Sequence, residues 1–508
     1  MSKTVTLIQG DGVGPEVVGA AVAVIAAAGA DIIWDHCDAG AAVFKQGNMT
    51  GVPKETMDAL TRHKVALKGP LETPIGYGEK SANVTLRKAF ETFANVRPVK
   101  EYPGIASPYK GRGLDFVVVR ENIEDLYAGI EHMQTPGVAQ ALKIMTRKGC
   151  EKIIRFAFEL ARAENRPSVH CATKANILKL TEGLMKSTFE EIATEYPDIQ
   201  AHHLLVDNCA HQMVMYPEQF DVIVTSNMNG DILSDLGSGL VGGLGFAGSA
   251  NIGSDIAIFE AVHGSAPTIA GKNSANPTAL IMSSVLMLRH LGLFAAAATI
   301  ECAVYQTLAM GHRTQDIPSP LSPLSTTDFT HKIIENFGKG TELVKPRSYT
   351  QLTCPVAGGK QSAVVMKKTG FHSGFHSGVN TGVKETVLDG VDVFICMETM
   401  PGILGKTLVD LCAALPLRLS MISSRGLKVY PDIDYLPDLV DAWQCRFHVR
   451  SPETIEITAE DVTELLETLD AHKISWTHVE KLWQFHGEPG YTRAQGEASS
   501  VVPGAEDA

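Results

Sequence analysis

The chain has no CxxC pair among its nine cysteines and no secreted-type cysteine spacing. That absence excludes a zinc ribbon or a disulfide scaffold and points to reduced, mostly buried thiols of a cytosolic protein. No apolar run reaches the roughly 18 residues that a membrane-spanning helix needs, so no transmembrane segment is expected. The opening MSKTVTLIQGDG passes straight into a strand-like run and lacks the layout of a secretory signal. Excess positive charge is missing too. A net charge of −13 argues against general affinity for nucleic acid or an anionic membrane. The 17 histidines show no metal-ligand spacing, and none is assigned a catalytic role. The expected location is cytoplasmic, with neither nucleic acid nor membrane as a partner.

What is present is a chain of 508 residues, 44% hydrophobic and 20% charged. That length exceeds one ordinary domain, and two or three soluble globular domains are expected. Residues 4–8 form a β-prone run, then GDGVGPE makes a glycine turn into an Ala/Val-rich helix. Val65 to Lys68, Asp115 to Val119 and Asp221 to Thr225 read as further short strands. Gly149 to Asn165, Asn176 to Glu195 and Pro277 to Leu291 read as helices, and this alternation predicts an α/β architecture. Composition shifts after Gly338. Residues 346–387 are rich in Gly, Ser, Thr and His, carry the repeat FHSGFHSG, and read as a linker or arm that has room for a clasp strand. Residues 388–495 then run strand, helix, strand, strand, helix, strand, a separate small α+β domain, and 496–508 reads as a disordered tail.

The densest chemistry lies between Lys68 and Arg120. Ser81, Asn83, Arg87 and Arg97 fall close together behind a Gly/Pro-rich loop, and Arg120 ends the apolar run of VVVREN. Guanidinium forks match carboxylates in a bidentate way, so three of them suggest a small substrate with several carboxylates. In NGDILSDL, Asp231 and Asp235 stand four apart and share one helical face, after an Asn229-Gly230 turn at a strand's carboxyl end. Carboxylates that close repel unless a cation sits between them, and all-oxygen ligands suit Mg²⁺ or Mn²⁺; Asp207 could complete the set. The glycines of GSGLVG are read as packing residues, because the DxxxD segment separates them from the strand that a dinucleotide fingerprint needs. The loop 260–279, with His263, Gly264 and Asn276, is a better nucleotide candidate. Tyr127 and Lys174 are the plausible proton-transfer pair.

The blocks GDGVGPE, KGPLETPIGYGEKSANVTLRK, ANVRP, VVVRENIEDLYAG, TKANILK, NMNGDILSD and EAVHGSAPTIAGKNSANP occur in the order found in a known family. Over roughly residues 3–340 the chain resembles the isocitrate/isopropylmalate dehydrogenases, metal-dependent β-decarboxylating enzymes. The resemblance implies a fold that is not a Rossmann fold. A large cofactor-binding domain would take 1–100 and 260–345. A small domain, 101–259, would carry the dimer interface and the metal and substrate residues. It further implies Thr73, Ser81, Asn83, Arg87, Arg97 and Arg120 as substrate-binding and Asp231 and Asp235 as metal ligands. Asp207 and Lys174 would be supplied by the partner subunit, with Tyr127 and Lys174 as the acid/base pair, so the active unit is at least a homodimer. Glu260, His263, Gly264, Thr268, Ile269, Asn276 and Arg313 would contact the cofactor. Ser81 and Asn83 match the isocitrate pattern, where isopropylmalate-type members carry apolar residues. The implied reaction is therefore the tricarboxylic acid cycle step from isocitrate to 2-oxoglutarate and CO₂. Siblings acting on homoisocitrate, tartrate or isopropylmalate, and an inactive scaffold, are the rival readings.

Cofactor choice turns on the pair after HGSAP. NADP-using members often have Lys-Tyr there and NAD-using ones Asp-Ile, whereas this chain has Thr268-Ile269. Gln315 and Ser319 stand where some NADP enzymes carry a tyrosine and an arginine, although Arg313 lies near and could serve a phosphate. NAD is expected in preference to NADP. Residues 388–495 resemble the extra domain of the longer bacterial isocitrate dehydrogenases, where assembly and small-molecule regulation are competing roles.

Overall fold

The computed structural model describes residues 2–48, 50–72, 81–135, 138–339, 347–352, 386–424, 427–431, 439–450, 457–485 and 488–491. Thr73, most of the arm at 346–387 with its candidate clasp strand, and the tail at 496–508 lie outside the described residues. Contacts divide the chain into two units. One draws on Met1–Ala128 and Lys143–Gly359, the other on Gly129–Leu142 and Lys360–Ala508.

The strands of the first unit are β1 (Lys3–Ile8), β2 (Ile32–Cys37), β3 (Val65–Lys68), β4 (Ala94–Lys100) and β5 (Asp115–Glu121). The hairpin β6 (Glu131–Thr135) and β7 (Val138–Ala141) follows in sequence and groups with the second unit. Then come β8 (Ser168–Thr173), β9 (Gln200–Leu205), β10 (Val222–Thr225), β11 (Gly248–Ile252) and β12 (Ala257–Ala261). All but the hairpin join one ten-stranded sheet in the order β2-β1-β3-β12-β11-β4-β5-β10-β8-β9. Pairing is antiparallel from β12 through β11 and β4 to β5, and parallel on either side. Strands from both stretches that the sequence assigned to a large and a small domain lie in this one sheet, within one unit. Every residue of β3, β8 and β10 is buried, as parallel strands covered on both faces by helices must be.

The helices match the expected positions with shifted ends. They run Arg147–Ala163, Thr181–Ala193 and Thr278–His290. The middle one starts later than its sequence pattern because its first turn holds buried Glu182, whose Oε2 accepts from the backbone N of Lys174 (3.0 Å) and so keeps 175–180 in turns.

The expected Asn229-Gly230 turn is instead part of a helix, Asn227–Val241, that follows β10 after one residue. Gly230 is there for space: a Cβ would stand 2.6 Å from Cβ and Cγ of Arg120. Gly230→Ala is therefore expected to lower stability by about 2 kcal/mol or more, read from urea unfolding. An unchanged midpoint would remove the steric account.

The second unit carries β13 (Thr386–Cys396), β14 (Leu417–Ser424), β15 (Leu427–Tyr430), β16 (Ala442–Val449), β17 (Trp476–Phe485) and β18 (Glu488–Pro489). Its antiparallel sheet runs β15-β14-β16-β13-β17-β18. Without the short edge strands this is a βαββαβ unit of ferredoxin-like order; the sequence pattern gave the same succession of elements for a small α+β domain, but with edge strand Leu427–Tyr430 in the place that Ala442–Val449 takes in the sheet. Leu404 and Leu408 from helix Pro401–Leu411 and Leu465 and Leu469 from helix Ala459–Ala471 pack on Val391, Val393, Trp443 and Phe447.

Candidate active site

Arg97 and Arg120 reach one centre from neighbouring antiparallel strands, Arg97 two positions along from the Asn95↔Arg120 pair. Arg120 is 1% exposed; its Nε and Nη2 donate to Asn227 Oδ1 (3.0 and 2.8 Å), and Nη1 pairs with Asp231. Arg97 Nη1 lies 3.3 Å from both Asp231 Oδ1 and Asp235 Oδ1 and donates to Ser234 Oγ (2.6 Å). Tyr127 donates its hydroxyl to Asp231 Oδ2 (2.6 Å), with the Arg120 guanidinium 4.9 Å from its ring centre. One helix face thus gathers two arginines, two carboxylates and a phenol.

The electrostatics follow from burial among like and unlike charges. Burial and the nearby Arg120 charge bring Arg97 down to about 10. Burial opposes ionisation of Asp231, but Arg120, the Tyr127 hydroxyl and Arg97 outweigh it and hold the carboxyl below its usual range. Asp235 moves the other way, raised by burial and by the Asp231 charge against the pull of Arg97. The two carboxylates form an oxygen-only pair, the donor chemistry that fits a hard divalent cation such as Mg²⁺ or Mn²⁺. Among the described residues no third carboxylate, imidazole or thiolate clusters with them. Asp207 is 64% exposed and pairs instead with Lys174 Nζ (3.0 Å). Burial and the bond to Asp231 raise the Tyr127 phenol, which keeps it protonated.

Ser81 stands just before the helix Ala82–Ala89, whose first turn carries Asn83, with Arg87 one turn on. Asn83 Oδ1 and Arg87 Nε are buried without a hydrogen-bond partner among the described residues. Arg87 Nη2 pairs with Glu260 Oε1 (3.1 Å), and Glu260 is also held by Lys68 and by Asn251 Nδ2 (2.7 Å). Burial works against its charge, yet Lys68 and Arg87 keep the Glu260 carboxyl far below the ordinary range. Expected as a cofactor contact, Glu260 is therefore the buried anchor of Arg87. A hydrogen-bonded line runs Arg97–Asn95–Asn251–Glu260–Arg87, with steps of 2.6, 2.9, 2.7 and 3.1 Å. Sequence reasoning passed over Asn95, Asn227, Ser234, Asn251 and Lys68. The one legible signal was Asn95, two residues from Arg97 on the same strand face.

The loop after β12 packs on the N-terminal glycine turn. Val13 N donates to Ser265 O (2.9 Å), and a Cβ at Gly12, whose φ is +60°, would fall 1.9 Å from that oxygen. His263 Nδ1 lies 3.0 Å from Gly264 O while its Nε2 is buried and unpartnered. Gly264 and Thr268 are exposed, Ile269 is half-buried against the core, and Asn276 Nδ2 donates to Asp316 (3.1 Å). Arg313 is 7% exposed and donates to the carbonyl oxygens of Gly104 and Pro318. Both Nη groups of Arg313 are thus taken by backbone oxygens, while its Nε is buried without a partner among the described residues.

An α/β sheet with arginines facing a DxxxD pair at strand ends defines a class of proteins able to hold small polycarboxylates there. The chain belongs to the isocitrate/isopropylmalate dehydrogenase family, which matches residues 4–333. The bacterial isocitrate dehydrogenase C-terminal domain matches 386–497. An NADP isocitrate dehydrogenase of Thermus thermophilus is 53% identical over 97% of this chain and 96% of that protein. One from Rickettsia bellii is 38% identical over 97% and 99%. A mitochondrial NAD isocitrate dehydrogenase subunit 2 of Kluyveromyces lactis is 47% identical over 65% of this chain and 90% of its own. A crystal structure of a Thermus thermophilus protein superposes with a TM-score of 0.88 at 53% identity, covering 97% of this chain and 96% of that one. These findings overturn the preference for NAD. The relatives matched along their full length are named for NADP, whereas the NAD subunit is matched over only part of this chain. The inference from Thr268-Ile269 failed because neither side chain carries a charge of either sign, so the pair excludes nothing.

Proposed function

We propose that this protein oxidises and decarboxylates isocitrate to 2-oxoglutarate and CO₂, with NADP as hydride acceptor and bound Mg²⁺ or Mn²⁺, as a cytoplasmic homodimer. The observation that carries the substrate reading is the polar capacity left beside the three arginines. Among the described residues, Asn83 and Arg87, one turn apart, keep a buried amide oxygen and a buried Nε without partners. A polar pocket of this kind rejects a substrate whose third group is alkyl, since that leaves the polar atoms unpaired. The full-length NADP isocitrate dehydrogenase relatives support the same reading.

Arg97 and Arg120 would hold substrate carboxylates at the DxxxD face, with Ser81, Asn83 and Arg87 receiving the remaining one. Asp231 and Asp235 would hold the divalent ion, which would supply Lewis acidity beside the substrate's C2 hydroxyl, and the bound nicotinamide would supply the hydride acceptor. The partner subunit's Lys174 takes the hydroxyl proton, and Tyr127 delivers a proton to the carbon that loses CO₂. A two-chain site is supported by half-buried Lys174 paired with exposed Asp207, by the exposed apolar residues Ile177, Leu178, Val214 and Met215 on the same segments, and by exposed Ile232 on the DxxxD helix. For the NADP 2′-phosphate the loop offers Lys272, exposed, with Nζ 2.6 Å from Thr268 O. Among the described residues no helix is long and apolar enough to cross a membrane, and eight cysteines are free thiols, as a reducing compartment requires.

The test is initial rates of reduced-nicotinamide formation from isocitrate with Mn²⁺, with NADP and NAD titrated in parallel and tartrate and isopropylmalate as alternative substrates. A higher kcat/KM for isocitrate with NADP is expected. Equal turnover of an alkyl-substituted malate would sink the substrate reading.

A further inference from the structure

A buried group of three charges lies under the site and is not used by the chemistry above. Lys143 Nζ pairs with Asp125 and lies 2.8 Å from Glu182 Oε1, and both carboxylates are fully buried. Each carboxylate spends its other lone pairs on backbone or hydroxyl donors. Asp125 Oδ2 accepts from Met228 N (2.9 Å), at the start of the helix that carries Asp231 and Asp235, and its Oδ1 from Leu126 N (2.8 Å), next to Tyr127. Glu182 Oε2 accepts from Lys174 N (3.0 Å) and its Oε1 from Ser226 Oγ (3.0 Å), one residue before the same helix. Asp125 adopts φ +68°, a left-handed conformation that a non-glycine residue keeps only when its surroundings fix it.

We infer that Lys143 is a positioning residue, the cation that locks the Tyr127 turn and the Lys174 turn of one chain into a single unit. The physical ground is the cost of the arrangement. Two buried carboxylates and one ammonium give up much hydration, and apolar residues of similar volume commonly serve stability as well or better. What apolar residues do not supply is direction. Each carboxylate here has defined backbone donors, and those donors belong to the segments bearing Tyr127, Lys174 and the DxxxD helix. Lys143 aims both carboxylates, since its ammonium bridges them. This inference rests on the reading of Tyr127 and Lys174 as the acid/base pair of a shared dimer site. In such a dimer Tyr127 works in the chain's own site and Lys174 in its neighbour's, so one triad positions a group in each of two active sites.

The experiment compares Lys143→Met, Lys143→Arg and Tyr127→Phe as homodimers and as hybrid dimers with one altered chain, isolated by differential tagging. For the Lys143→Met homodimer, kcat falls on the order of a hundredfold, as for a reacting group displaced by about 1 Å. KM for isocitrate and Mn²⁺ affinity by calorimetry stay within about threefold, because the arginines and the DxxxD pair keep their own partners. Lys143→Arg restores most of kcat. The hybrids decide the two-site claim. One Tyr127→Phe chain disables one site and leaves about half of the activity, whereas one Lys143→Met chain impairs both sites and leaves about a tenth or less. A Lys143→Met hybrid with half of the activity or more overturns the inference. So does a homodimer whose loss lies wholly in KM. Should Lys143→Met fail to fold, Glu182→Gln keeps the shape and removes one charge; full kcat in that variant would overturn the proposal equally. Full activity in the Tyr127→Phe homodimer would instead refute the acid/base reading beneath it.

Discussion

Asp231→Asn is expected to lower kcat/KM for isocitrate by about a thousandfold, equivalent to roughly 4 kcal/mol of lost transition-state stabilisation. Asp231 is the hub of the site. Its carboxylate meets Arg120 and Arg97 Nη1 through Oδ1 and receives the Tyr127 hydroxyl through Oδ2. Its pKa is held low by those partners in spite of burial, so the charged form is the one the structure is built around. An amide of the same shape removes a ligand charge from the proposed metal pair and leaves two buried guanidiniums facing a neutral group. Calorimetric titration with Mn²⁺ should show weakened binding alongside the rate loss, with circular dichroism unchanged. A loss of only a few-fold at saturating Mn²⁺ would mean that the metal sits elsewhere.

Tyr127→Phe should cost about a hundred- to ten-thousandfold in kcat while KM changes little, the pattern of a proton donor used only in the transition state. The ring keeps its place over Arg120, because the 4.9 Å contact needs only the π face. The lost hydroxyl donates to Asp231. The phenol pKa is raised by burial and by that bond, so the donor form persists above its ordinary pKa near about 10 and the alkaline limb of kcat should not lie below that point. Deuterium incorporation into 2-oxoglutarate from deuterated solvent supplies an independent readout. Stereospecific incorporation that survived in the variant would pass the role to another group.

Much of the site was legible because its spacing is local. Asp231 and Asp235 share a helix face by their i,i+4 separation, Asn83 and Arg87 do the same, and Arg97 and Arg120 sit on consecutive strands of one β ladder. What stayed illegible depends on pairings far apart in the chain. Glu260 belongs with Lys68 because β12 and β3 lie side by side in parallel register, 192 residues apart by number (260 − 68). Arg313 was offered to a phosphate and is instead held by the carbonyl of Gly104, 209 residues away. Neither partner leaves a trace in the residues flanking the other.

The sequence by itself therefore determined the family, the alternation of strands and helices, and that Asn83 shares a helix face with Arg87 and Asp231 with Asp235, since periodicity and short spacing already set which groups lie together. Tertiary structure alone decided which of those charges remain available. Burial turned Glu260 and Arg313 into structural partners, joined Lys143 to Asp125 and Glu182, and moved the Gly129–Leu142 hairpin into the second unit. The physical reason is that the cost of a buried charge depends on its long-range neighbours, and only the packed sheet brings those neighbours together.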